Sequence, residues 1–128
     1  MTKKILIVDD DVDLVEAVAT LLEAKGYAVI SANNGEEGFK MAKAQSPDLI
    51  LLDAIMIHQS EGFDTARNLK KDQATKDIPV VMVTGIKKEL NLPFNFKPDE
   101  EWLPVKAVLE KPVKPEVLLK TIEEHIKK

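Results

Sequence analysis

Four short apolar runs constrain this chain more than any other feature. They are Ile5-Leu6-Ile7-Val8, Leu49-Ile50-Leu51-Leu52, Val80-Val81-Met82-Val83, and Val105 with Ala107-Val108-Leu109. Each is continuous rather than alternating, which predicts strands buried on both faces, as in a parallel sheet covered by helices. A weaker run, Tyr27-Ala28-Val29-Ile30, is a fifth candidate. Between the runs the period is helical. Val12, Val15, Ala19 and Leu22 share one face of a first helix, and Gly26 offers a left-handed stop. Phe39 and Ala42 mark a second helix, Phe63, Ala66 and Leu69 a third, and Leu118, Ile122 and Ile126 a last one that begins near Pro115. Strands alternating with helices predict an open, doubly wound α/β sheet. Gly85–Pro104 breaks the rhythm. Pro93, Pro98 and Pro104 forbid one long helix there, so a shortened or irregular fourth helix is expected.

The 128 residues suit a single domain spanning 1–128 with no output domain. Lys and Arg total 18 against 22 Asp and Glu, a net charge of −4 that gives no electrostatic case for nucleic-acid binding. Zero cysteines exclude disulfides, thiolate metal sites and cysteine nucleophiles. No apolar stretch approaches the ~20 residues of a membrane span, and the run after Lys3-Lys4 is too short for a signal-peptide core. A cytoplasmic location and no membrane insertion are the expectation.

In open α/β sheets ligands bind at the carboxyl ends of the strands. The predicted strands end in Asp9-Asp10-Asp11, Asp53, Thr84-Gly85 and Glu110-Lys111-Pro112. Carboxylates, a hydroxyl and an ammonium therefore meet at one edge. Clustered carboxylates repel one another and either take up protons or hold a cation. Oxygen donors without cysteine point to Mg²⁺. A lysine and a hydroxyl opposite the metal suit a phosphoryl group, and a carboxylate can itself accept that group as an acyl phosphate. The residues point to metal-assisted phosphoryl transfer onto an aspartate.

The combination Ile-Val-Asp9-Asp10-Asp11, Leu-Leu-Asp53, Val-Thr84-Gly85 and Glu110-Lys111-Pro112-Val resembles the receiver domain of bacterial two-component response regulators, from Lys4 to the last helix. That resemblance implies a flavodoxin-like five-stranded sheet in the order 2-1-3-4-5. It implies Asp53 as phosphoacceptor, with Asp9, Asp10, Asp53 and the backbone carbonyl of Ile55 around Mg²⁺, for which Mn²⁺ is a possible substitute. Thr84 is then the switch hydroxyl and Lys111 the phosphoryl-oxygen contact. The implied partners are a sensor histidine kinase or histidine phosphotransfer protein and a downstream protein. Such a chain modifies itself rather than turning over a substrate. Ile57 stands where the family commonly has proline, Val108 where it has a switch aromatic, and His58–Ser60 looks like a small insertion. Ile55 and Ile86, two residues beyond Asp53 and Thr84, would shield an acyl phosphate from water, so slow self-hydrolysis is expected.

Blander roles compete at several positions. Asp10 and Asp11 can each cap a helix, and capping or solvation is the expected role of Asp11. His58 reads as a solvated loop residue and His125 as a complement to the last helix's dipole. Phe94, Phe96 and Trp102 read as cover for the core beneath the long connection. Two rival functions remain. One is a degenerate receiver that binds partners without phosphorylation. The other is an enzyme, because Asp9-x-Asp11 also resembles the motif of haloacid-dehalogenase-like phosphatases, with Asp9 as nucleophile. The short chain and the otherwise unexplained Asp53 weigh against the phosphatase.

Overall fold

The computed structural model describes residues 2–53, 61–84, 105–110 and 114–126, with residues 61–64, Thr84, Val108 and Glu110 described in their backbone alone. In chain order the elements are β1 (Lys4–Val8), α1 (Val12–Ala24), β2 (Ala28–Ala32), α2 (Gly35–Gln45), β3 (Leu49–Asp53), α3 (Glu61–Lys71), β4 (Val80–Thr84), β5 (Ala107–Glu110) and α4 (Pro115–His125). The strands form one five-stranded sheet in the order β2-β1-β3-β4-β5, and every pairing is parallel. This is the expected doubly wound topology. Gly85–Pro104, with its expected irregular helix and its aromatic residues, lies outside the described residues, as do Ile55, His58 and Lys111.

The continuous apolar strands divide their side chains between two cores. Leu6 and Val8, Ile50 and Leu52, and Val80 and Met82 face α2 and α3, where Ala42, Ala66 and Leu69 meet them. Ile5 and Ile7, Leu49 and Leu51, and Val81 face α1 and α4, where Leu22, Leu118 and Ile122 meet them. The period of two along a strand supplies both faces at once. Edge strand β2 is different: its first four residues are half-buried or exposed and only Ala32 is buried. That accounts for the weakness of its apolar run.

Local chemistry sets the helix ends. Asn34 caps α2, its Oδ1 accepting from Glu37 N at 2.8 Å, with Glu36 and Glu37 in the first turn. Gly26, at φ +94°, follows α1 in the left-handed region as expected. Pro115 opens α4 and His125 lies in its last turn. Val12 departs from its expected place on the buried face of α1, being 66% exposed. It is the first residue of the helix, beyond the end of β1, and none of its later stripe partners is so placed.

Gly38 is where α2 meets the sheet most closely. A Cβ there would lie 2.6 Å from Val8 Cγ2 and 2.9 Å from Val8 Cγ1, and Val8 is itself buried. Overpacking a well-packed site costs about 1–3 kcal/mol, against a helix-propensity gain of up to ~1 kcal/mol for alanine over glycine. Gly38→Ala is therefore expected to lower the unfolding free energy in urea by about 1–2 kcal/mol. In a double-mutant cycle with Val8→Ala the two losses should fall short of additivity, because the smaller residue 8 removes the clash. Strict additivity would show that the contact is not the cause.

A polar clasp joins α2 to the chain leaving α3. Asp72 Oδ1 accepts from Ala74 N at 2.8 Å and Asp72 Oδ2 lies 3.2 Å from Lys43 Nζ. The Ala74 hydrogen bond first, then Lys43, hold the Asp72 carboxyl below its ordinary value of 3.8. A carboxyl lowered on folding contributes stability above its unfolded pKa and loses it as pH falls through the folded one. Asp72→Asn should thus be less stable than the parent at neutral pH. The gap measured by thermal unfolding should close only as pH drops below 3.8. A gap that persisted unchanged well into acid would refute the charge as its origin.

Candidate phosphoryl and metal site

Parallel register brings the acidic residues together. Val8 pairs with Leu52, so Asp9 and Asp53 leave adjacent strands at the same level. Asp53, the last residue of β3, pairs with Val83, and Thr84 at the end of β4 pairs with Glu110. The carboxyl ends of four strands thus share one edge. Asp9 is 5% exposed and Asp53 4%, while Asp10 is half-buried. One carboxylate oxygen from each of Asp9, Asp10 and Asp53 falls within 4.8 Å of the other two.

The chain after β1 is turned by its own carboxylates. Asp9 N donates to Ala32 O at 3.1 Å, extending the ladder past the strand, and Asp9 Oδ1 accepts from Asp11 N at 2.9 Å. Asp11 has extended backbone angles and its Oδ1 accepts from Leu14 N at 3.1 Å, so it caps α1 as expected. Asp10, between them, joins the cluster rather than the cap. Three neighbouring aspartates therefore have three distinct placements.

Three anions at this spacing repel one another strongly in a partly buried site. The donor set is all oxygen, which suits a hard divalent cation. One oxygen from each of the three carboxylates lies close enough to the others, all within 4.8 Å, for side-chain rotation to bring them onto one small divalent ion with bonds of ~2.1 Å. Asp9, Asp10 and Asp53 therefore fit such an ion. Thr84 is on the same edge by its backbone. Lys111 and Ile55, expected to complete the site, lie outside the described residues.

Comparison with known proteins decides the family. The response regulator receiver domain family matches residues 5–123. The chain belongs to that family. Protein PilH of Pseudomonas aeruginosa is 36% identical over 119 residues, which cover 93% of each chain. The phosphate regulon transcriptional regulatory protein PhoB of the same organism is 42% identical over 89 residues, and there the match covers 70% of this chain but only 38% of PhoB. Among solved structures, the chemotaxis protein CheY4 of Vibrio cholerae superposes with a TM-score of 0.80 at 26% identity, covering 98% of this chain and all of that one. Among the described residues no helix of this receiver domain is long and apolar enough to cross a membrane.

One part of the receiver's edge escaped the sequence. A cavity adjoins the acidic cluster, and Leu14, Val18, Val83 and Leu118 are in its wall. Residues of this kind at helix or strand period read as ordinary core, so nothing in the sequence separates a wall from a packed interior. The division of labour among the aspartates has a direct check. Asp11→Ala should cost about 1 kcal/mol of stability in denaturant, while Asp11→Asn, which keeps an acceptor at the cap, should cost much less. An equal loss from both would show that the charge, not the cap, is what matters at residue 11.

Proposed function

We propose that this receiver domain is a phosphoacceptor, with Asp53 taking a phosphoryl group from a phosphohistidine of a sensor histidine kinase or histidine phosphotransfer protein. The observation that carries the reading is the meeting of Asp9, Asp10 and Asp53 at the carboxyl edge of a receiver-family sheet. Asp9, Asp10 and Asp53, with the backbone carbonyl of Ile55, would hold Mg²⁺, or Mn²⁺ in its place. When bound, the ion neutralises charge on the phosphoryl oxygens and lets an anionic carboxylate approach an anionic donor.

An Asp53 carboxylate oxygen attacks phosphorus. The phosphorus–nitrogen bond of the donor breaks, its electron pair stays on the imidazole nitrogen, and an acyl phosphate forms on Asp53. Lys111 would pair with the phosphoryl oxygens and the Thr84 hydroxyl would turn to meet them. The added charge then biases a two-state element that a downstream protein reads. The chain acts on itself and is not an enzyme in the ordinary sense. A phosphatase with Asp9 as nucleophile is less well supported, because the second aspartate of its motif, Asp11, is engaged as a helix cap.

The test is incubation with MgCl₂ and acetyl phosphate, followed by peptide mass spectrometry. Phosphate should appear on Asp53, and should be absent with a chelator or in Asp53→Asn. It should decay slowly after donor removal if Ile55 and Ile86 shield it. Label on Asp9 would overturn the assignment. No label from acetyl phosphate or from a phosphohistidine donor, in a folded protein, would make this a phosphorylation-independent binding module.

A further inference from the structure

Strand β2 closes one side of the sheet, and among the described residues no strand lies beyond it. Backbone parity decides which of its polar groups are spent. Ala28 N donates to Lys3 O and Ala32 O accepts from Asp9 N, so both residues turn their backbone groups toward β1. Alternation along the strand turns Ile30 the same way and Val29 and Ser31 outward. Among the described residues nothing takes up those outward N–H and C=O groups. Exposed edges are ordinarily guarded by charged side chains, proline or a bulge. Ala28-Val29-Ile30-Ser31-Ala32 has no charge and no proline, and its unbroken pairing with β1 leaves no bulge. Ser31 is exposed, and Ala28, Val29 and Ile30 are half-buried.

Charge selects what this edge fits and in which direction. At the amino end of β2 stand Lys3 and Lys25, with Glu23 against them. At its carboxyl end stand Glu36 and Glu37 in the first turn of α2, with Lys40 held to Glu36 at 3.4 Å. The edge is thus net positive at one end and net negative at the other. A second copy of the same edge complements it when antiparallel and repels it when parallel, and such a self-complementary contact closes by a two-fold axis. Parity then fixes the register. Centring on Ile30 opposes Val29 of each copy to Ser31 of the other, so all the outward groups of the strand are paired within its own length. Ala28 then faces Ala32, and neither end is crowded.

We propose that two copies of this chain pair through β2, antiparallel and centred on Ile30, joining their sheets into one. Val29 and Ser31 exchange backbone hydrogen bonds across the axis. The two Ile30 side chains meet on the face that carries α2, where each is already packed against its own core. No residue of the phosphoacceptor site takes part, so the pairing stands apart from that reading.

Sedimentation equilibrium of the whole chain, from about 10 μM to about 1 mM, should show monomer passing into dimer, as for a small interface. Hydrogen exchange of the Val29 and Ser31 amides should be about tenfold or more slower in the dimer than in the monomer. Ser31→Pro removes an outward N–H at an edge position that proline tolerates, and should weaken dimerisation about tenfold or more. The chain has no cysteine, so single replacements report the register. Ile30→Cys should form an intermolecular disulfide on oxidation, because facing residues of a non-hydrogen-bonded pair have Cα atoms ~4.5 Å apart. Ser31→Cys should not, because the two positions would lie about 8 Å apart on the diagonal, beyond disulfide reach. Disulfides from both variants would mark a parallel pairing and overturn the inference, as would none from Ile30→Cys. So would a chain that stays monomeric throughout, a dimer whose Val29 and Ser31 amides exchange freely, or unchanged dimerisation in a folded Ser31→Pro. If Ser31→Pro does not fold, the amides of the parent and the two cysteine variants decide the matter.

Discussion

The parallel register between β1 and β3 is the constraint on which the rest of the structure depends. Because Ile5 to Val8 pair in step with Leu49 to Leu52, the residues that follow, Asp9 and Asp53, emerge side by side. A shift of one residue would do two kinds of damage. It would exchange the side chains that face the α2–α3 core for those that face the α1–α4 core, and it would separate the carboxylates by a residue's rise. Hydrophobic burial on both faces therefore secures the geometry of a polar site at the sheet's end. The apolar energy is spread over two cores, and the acidic cluster sits where both have ended.

The same division explains how a cluster of anions is tolerated. Asp9 and Asp53 are each buried at a strand terminus, and their mutual repulsion with Asp10 works against the folded state. Local hydrogen bonding offsets part of this, since Asp9 accepts from Asp11 N and Asp11 from Leu14 N. Each of these donors belongs to the turn that starts α1. A charge change at Asp9 is thereby connected to α1 through backbone groups.

The sequence was most informative where one physical demand dominated. Continuous apolar runs announced β1, β3 and β4 because central strands must be apolar on both faces, and the runs missed the observed bounds by a single residue. The meeting of Asp9 and Asp53 was legible because each directly ends or follows an apolar run of a central strand. Legibility fell where demands were mixed. β2 is an edge strand exposed along much of its length, so its run was weak and its start misplaced by one residue. Val12 fits the helical stripe of α1, yet lies beyond the sheet that would cover it. Periodicity reports which residues share a face but not whether anything packs against that face. The clasp of Lys43 and Asp72 was invisible for a similar reason: the two residues are distant in sequence and both look like solvated surface.

The cavity beside the aspartates follows from the same opposition between packing and charge. Filling the space among Leu14, Val83 and Leu118 with further apolar side chains would improve the core, but it would also seal Asp9 and Asp53 away from water and ions. Burying ionised carboxylates without compensation costs several kcal/mol per group, more than one additional methyl or methylene contributes. Space at this edge is thus the lower-energy arrangement for as long as the carboxylates must stay charged and reachable. The acidic edge and the unfilled core behind it form one physical unit, because the charge of the first sets the incompleteness of the second.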